Sequence, residues 1–244
     1  MQKVVGSVTL PTHVDVMHVC YPCVEKEKFV QTTIEYVKKF GPKLTIVEST
    51  VSPGTTQRIY ELTKSPIVYS PIRGMHESAE IMKKDILFWK KYVGGATNRA
   101  TEAAKRHFEE LGLQVKTLKG STETELAKLF ETIYRAWMIA CFQEMHRISR
   151  HFNADFDEVV DMIEDVHRRD FNKPLHYPDF IGGHCLIPNT KLLLKSYDSE
   201  FLKLLLKSNE MRKEEIKDET LRNEVEKIKK RVKALEKDLT GGRR

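Results

Sequence analysis

Glu123-Thr124-Glu125-Leu126-Ala127-Lys128-Leu129-Phe130-Glu131-Thr132-Ile133-Tyr134-Arg135-Ala136 separates two kinds of sequence in this 244-residue chain. Thr122 and Glu125 have the spacing of a capping box, so a long helix is expected to open here and run to about residue 152. Roughly thirty residues at ~1.5 Å each make a rod of about 45 Å. Leu126, Leu129, Ile133, Trp137, Ala140 and Met145 mark an apolar face. Lys128, Thr132 and Arg135, spaced four and three, project from one stripe, which by itself reads most simply as a solvated face.

Upstream of this helix, short apolar runs alternate with amphipathic segments. Residues 14–20, 44–47, 67–69, 92–96 and 115–118 read as strands; 24–40, 53–63 and 101–111 read as helices, the first closed by Gly41-Pro42. Such alternation predicts a parallel sheet covered by helices, an α/β domain over 1–120. The dinucleotide fold normally opens with a G-x-G-x-x-G turn that holds a pyrophosphate at a helix N-terminus. The sequence contains none, and residues 1–13 leave room for one short strand, so the expectation is a partial Rossmann-like sheet.

Downstream, 121–208 reads as an all-helical domain, with a second helix over 155–166. It is followed by Tyr177-Pro178-Asp179-Phe180-Ile181-Gly182-Gly183-His184-Cys185-Leu186-Ile187-Pro188-Asn189. Two glycines ahead of a thiol let the backbone approach a ligand closely, which suits a nucleophile. A buried structural cysteine is the simpler reading of that loop taken alone. Residues 209–244 form a charged tail in which Leu221, Val225, Ile228, Val232, Leu235 and Leu239 alternate steps of four and three. This is a coiled-coil-like seam suited to oligomerisation or docking.

With 41 Lys+Arg against 35 Asp+Glu, the formal net charge of +6 is spread along helices, which favours an anionic ligand over a nucleic-acid partner. No apolar run approaches the ~18 residues of a membrane span and no signal-peptide core is evident, so a cytoplasmic protein without membrane attachment is expected. Cys20, Cys23, Cys141 and Cys185 are too scattered for a disulfide framework. Cys20-Tyr21-Pro22-Cys23 has redox or zinc spacing, but no second pair completes four ligands, and no metal is expected.

The segment over 123–136 and the Gly182-Gly183-His184-Cys185 loop resemble the UDP-glucose/GDP-mannose dehydrogenase family, with its E-x-x-K-x-x-x-N-x-Y-R helix and G-G-H/S-C-x-P loop. Glu48-Ser49-Thr50-Val51-Ser52-Pro53-Gly54-Thr55-Thr56 resembles that family's S-T-V-x-P-G-T, and Val14-Asp15-Val16-Met17 its A-D-V strand. The resemblance implies NAD-dependent oxidation of a sugar alcohol to the acid on a nucleotide sugar. Cys185 would be the nucleophile that passes through a thiohemiacetal and a thioester, and Lys128 would stabilise the oxyanion. It further implies catalytic roles near Thr132 and Glu77, cofactor contacts at Thr50, Cys23, Pro53 and Gly54, and a substrate loop of Gly182, Gly183 and His184 with Arg135. A homodimer through the helix over 122–152 is implied as well.

The departures are as specific as the matches. Thr132 stands where the family has asparagine, Ser70-Pro71-Ile72 where it has S-P-E, and Ile187-Pro188-Asn189 where P-x-D would follow the cysteine. The G-x-G-x-x-G half and the domain for the nucleotide of the substrate are not found in the sequence. Three readings follow. One is a split dehydrogenase whose partner chain supplies the cofactor-binding half. Another is a thiol enzyme without the redox step, and the third is a non-catalytic dimeric scaffold.

Overall fold

The computed structural model describes residues 12–74, 78–170 and 174–240. They form two compact units, one ending at Leu129 and the other beginning at Phe130.

The first unit is an α/β layer structure. Strands β1 (Val16–Val19), β2 (Leu44–Val47), β3 (Ile67–Tyr69), β4 (Lys91–Gly95) and β5 (Val115–Thr117) lie side by side in sequence order. β1, β2 and β3 run parallel, with Val16 opposite Leu44 and Thr45 opposite Ile67. β4 pairs antiparallel to β3, Tyr69 facing Gly94, and β5 then runs parallel to β4. The sheet is therefore mostly parallel, with one reversal at β4.

Helices α1 (Lys26–Phe40), α2 (Thr55–Thr63), α3 (Ala79–Phe88) and α4 (Asn98–Glu110) connect the strands. α1 stops at Gly41, whose φ of 51° is a left-handed C-cap that glycine adopts without Cβ strain. Phe29, Val30 and Ile34 of α1 pack with Val47, Val51, Ile59 and Tyr69 into one core. Ala100, Ala104 and Phe108 of α4 build a second with Leu44, Ile46, Val68 and Val93. Gly94 is compelled by close approach: a Cβ there would stand 2.0 Å from the Gly120 carbonyl oxygen and 2.1 Å from Thr124 Oγ1.

α5 (Ser121–His151) contributes its opening turns to the first unit and the rest to the second. The second unit adds α6 (Phe156–Asp170), α7 (Leu186–Ser196), α8 (Glu200–Glu215) and α9 (Glu219–Thr240). Leu129, Ile133, Ala136 and Phe142 are the buried hydrophobic positions of α5, whereas Trp137, placed on the apolar face by the sequence, is 37% exposed. The helix is apolar on two sides, and Trp137 belongs with Phe130 and Tyr134 on the outer one.

The α9 seam has the expected period and an unexpected partner. Ile228, Val232 and Leu235 pack against Phe142, Phe156, Val160 and Leu175 of the same chain. A seam of fewer than three heptads is too short to hold on its own and is covered here by the neighbouring helices. Of the two uses expected from the sequence, oligomerisation or docking, the packing within this chain is the docking one. Arg231 reinforces the packing, bonding to Asp157, Asp161 and Glu164 of α6. Among the described residues, no helix is long and apolar enough to cross a membrane.

Candidate active site

Ligands of open α/β sheets gather outside the carboxyl ends of the strands. The loops after β1 and β2 meet there. Ser49 ties them together, its hydroxyl donating to the Val19 carbonyl at 3.1 Å and the Tyr21 carbonyl at 2.6 Å. Cys23, Thr50, Pro53 and Gly54, the expected cofactor contacts, are all half-buried on these two loops. Lys26 reaches across from α1 and donates to the Pro53 carbonyl at 3.3 Å.

The amide hydrogens that open a helix are ready-made phosphate donors. At the opening of α2 a carboxylate of this chain already takes two of them. Gly54 N donates to Glu125 Oε2 at 2.6 Å, and Thr56 donates through both its amide, at 2.9 Å, and its hydroxyl, at 2.7 Å, to Oε1. The capping-box reading of Thr122 and Glu125 is corrected by this contact: Glu125 caps α2, not its own helix. Burial raises its pKa despite the three donors, which pull the other way.

The same sheet end holds a buried ion pair. Lys91 Nζ lies 2.9 Å from Glu48 Oε1, with the side chains 8% and 10% exposed. Burial alone would raise the Glu48 carboxyl, but His18 and Lys91 outweigh it and hold the group at about 2. Cys20 donates to Glu48 Oε2 at 3.5 Å, and burial together with that carboxylate lifts its thiol to about 11. A thiol raised in this way is less readily ionised, and so less nucleophilic, than a free cysteine. Among the described residues, no group of three or more His, Cys, Asp or Glu side chains is placed to hold a metal.

In the second unit, Cys185 is the N-cap of α7 and half-buried, directly after exposed Gly182, Gly183 and His184. Gly183 has φ 79°, a conformation that suits glycine. The loop is held from below. Asn209 of α8 accepts the Ile181 amide at 2.7 Å and returns its own amide to the Ile181 carbonyl at 3.2 Å. Gln143 of α5 donates through its side-chain amide to the Asp179 carbonyl at 2.8 Å, and Ser208 donates to Gln143 Oε1 at 2.8 Å. Neither Asn209 nor Gln143 stood out in sequence, where the only signal was a polar residue on an otherwise apolar helical face.

Thr132 and Asn189, two of the departures noted above, meet: Asn189 Nδ2 donates to Thr132 Oγ1 at 3.1 Å. Arg135 is exposed one turn further along α5. Burial first, then the Arg135 and His167 charges, bring His176 down to about 4. Lys128 is half-buried in the first unit and Cys185 belongs to the second. Glu77 lies outside the described residues.

Residues 122–212 match the profile of the UDP-glucose/GDP-mannose dehydrogenase family, central domain. The chain is 28% identical over 193 residues to the UDP-N-acetyl-D-mannosamine dehydrogenase of Methanocaldococcus jannaschii, covering 73% of this chain and 44% of that protein. Against the UDP-glucose 6-dehydrogenase of Campylobacter jejuni the identity is 27% over 193 residues, covering 75% and 48%. Among solved structures, the UDP-N-acetyl-mannosamine dehydrogenase of Staphylococcus aureus matches with a TM-score of 0.68 at 23% identity, covering 88% of this chain and 54% of that one. The chain thus spans about half the length of the relatives it matches. The long helix and the glycine-pair loop both fall in the stretch that matches the central-domain profile of the UDP-glucose/GDP-mannose dehydrogenase family.

Proposed function

We propose that this chain carries the thiol-bearing core of a nucleotide-sugar dehydrogenase, which oxidises a sugar alcohol to the acid on a nucleotide sugar such as those named for its relatives. The observation that supports the reading best is Cys185 at the N-cap of α7, behind a glycine pair and a loop pinned by Asn209. In the step assigned to this residue, the thiolate sulfur adds to the carbonyl carbon of the sugar aldehyde. The C=O π pair moves onto oxygen, which takes a proton. Lys128, on its motif position alone, is the ammonium assigned to that oxygen. Glu77, Gly182, Gly183, His184 and Arg135 keep, on the same basis, the roles the resemblance implies.

NAD is the cofactor the family resemblance implies. The described residues suit only its nicotinamide end, through Thr50, Cys23, Pro53 and Gly54, because two of the α2 amides that would hold a phosphate are filled by Glu125. The pyrophosphate half is therefore assigned to protein outside this stretch, such as a partner chain. We further propose a homodimer through the helix over 122–152. Phe130 (54% exposed), Tyr134 (64%) and Ile148 (51%) form its outer stripe with Trp137, whose ring stands 5.3 Å from that of Phe201 of α8.

The test is turnover of UDP-glucose and UDP-N-acetyl-mannosamine with NAD, by the protein alone and with whatever co-purifies. NADH should form with wild type and not with Cys185→Ala. Equal NADH from both, or none from wild type with its co-purifying proteins, rejects the reading. For the dimer, sedimentation should give twice the chain mass, and Trp137→Glu should halve it.

A further inference from the structure

Asn189 lies one turn after Cys185 on the same side of α7, its amide donating to the Cys185 carbonyl at 2.9 Å. Its side chain is 7% exposed and reaches α5 through the 3.1 Å bond to Thr132. An amide nitrogen has no lone pair to offer, so Asn189 donates and Thr132 spends a lone pair here. Thr190, next on α7, turns inward and bonds the Leu186 carbonyl at 2.8 Å. Asn189 is thus the strut from the first turn of α7 to α5. The amide missing from α5 at position 132 is met by one arriving from α7 at position 189.

We propose that Thr132 and Asn189 form a single uncharged positioning pair that sets the place of Cys185. The inference rests on the reading of Cys185 as the nucleophile and deepens it. A thiol at an N-cap benefits from the first-turn amides only while the cap stays seated over them. The cap here makes no side-chain hydrogen bond of its own. The strut one turn away supplies the seating.

Iodoacetamide alkylation of Cys185, followed by mass spectrometry of the full chain, requires neither nucleotide sugar nor oxidant. Exposed Cys141 in the same unit is the internal control. Thr132→Val and Asn189→Ala should each slow Cys185 alkylation by about fivefold, the worth of one hydrogen bond. The double variant should be no slower than either alone, since the two residues share one interaction. Thr132→Ser, which keeps the hydroxyl, should react at the wild-type rate, and Cys141 should not change in any variant.

Independent, multiplying effects overturn the pair, as does a Cys185 rate unaltered in Asn189→Ala. Parallel changes at Cys141 reduce the role to general stability and also overturn it. Should Thr132→Val or Asn189→Ala fail to fold, a Thr132→Ser rate below wild type would refute the proposal. If alkylation shows the coupling while the turnover test fails, the pair stands and the dehydrogenase reading falls. The converse outcome removes the pair alone.

Discussion

Glu125 Oε1 accepts both the amide and the hydroxyl of Thr56, 69 positions earlier in sequence, so the opening of α5 completes the opening of α2. Removing that carboxylate strands the Gly54 and Thr56 donors in a buried site. Glu125→Ala should lower the stability of the first unit by about 2–3 kcal/mol in urea unfolding, and Glu125→Gln by about 1 kcal/mol. A change below about 0.5 kcal/mol for Glu125→Ala would show that water replaces the contact.

His176 gives the second unit an acid-sensitive limb. Its pKa is lowered from 6.5 to about 4 by burial, with Arg135 and His167 adding to the effect. The unfolded chain takes up this proton first as pH falls, so stability is full above about 6.5 and declines down to about 4. His176→Phe should flatten unfolding midpoints across that window. An unchanged slope would place the sensitivity elsewhere.

Glu48 acts lower on the scale and in the first unit. Its carboxyl is held at about 2 against an ordinary 4.5, so the stability it contributes is present above 4.5 and is lost as pH falls toward 2. Lys91→Met leaves that carboxylate buried without its cation and should cost about 3 kcal/mol at neutral pH. Acid unfolding of the variant should also begin at higher pH. An acid limb identical to wild type would mean that His18 suffices.

Ile228 sits at 2% exposure against α5 and α6 side chains. Ile228→Lys should therefore destabilise the second unit by about 3 kcal/mol or more and not merely loosen an assembly. Normal thermal stability with a reduced oligomeric mass would assign the seam an intermolecular role instead.

β2 and β3 were legible to the residue because every position in them is apolar or β-branched and all are buried. α3 was missed for the opposite reason. None of its residues is buried, so no apolar stripe marks it. The reversal at β4 left no trace either, since a short apolar run looks the same in both directions. Glu125 and the α9 seam show a shared limit: spacing reveals what a side chain can do, while its partner is chosen in three dimensions. Cys185 was conspicuous through its glycines, but α7 beginning directly after it was not, nor was the Asn209 clamp, whose partner is the featureless Ile181 backbone. Thr132 and Asn189 each read as a loss when taken singly, and only their contact makes them a unit.

The Glu125 contact also orders events during synthesis. The last strand of the sheet is complete at Thr117, yet the donors that open α2 wait for a residue that leaves the ribosome later. A nascent chain paused between the two would hold its strands and helices but leave α2 unsealed at the end of the sheet where ligands gather. For any expressed fragment of this half the natural stopping point is consequently past Glu125, because a cut at the end of the sheet would release a domain with its phosphate-seeking amides bare.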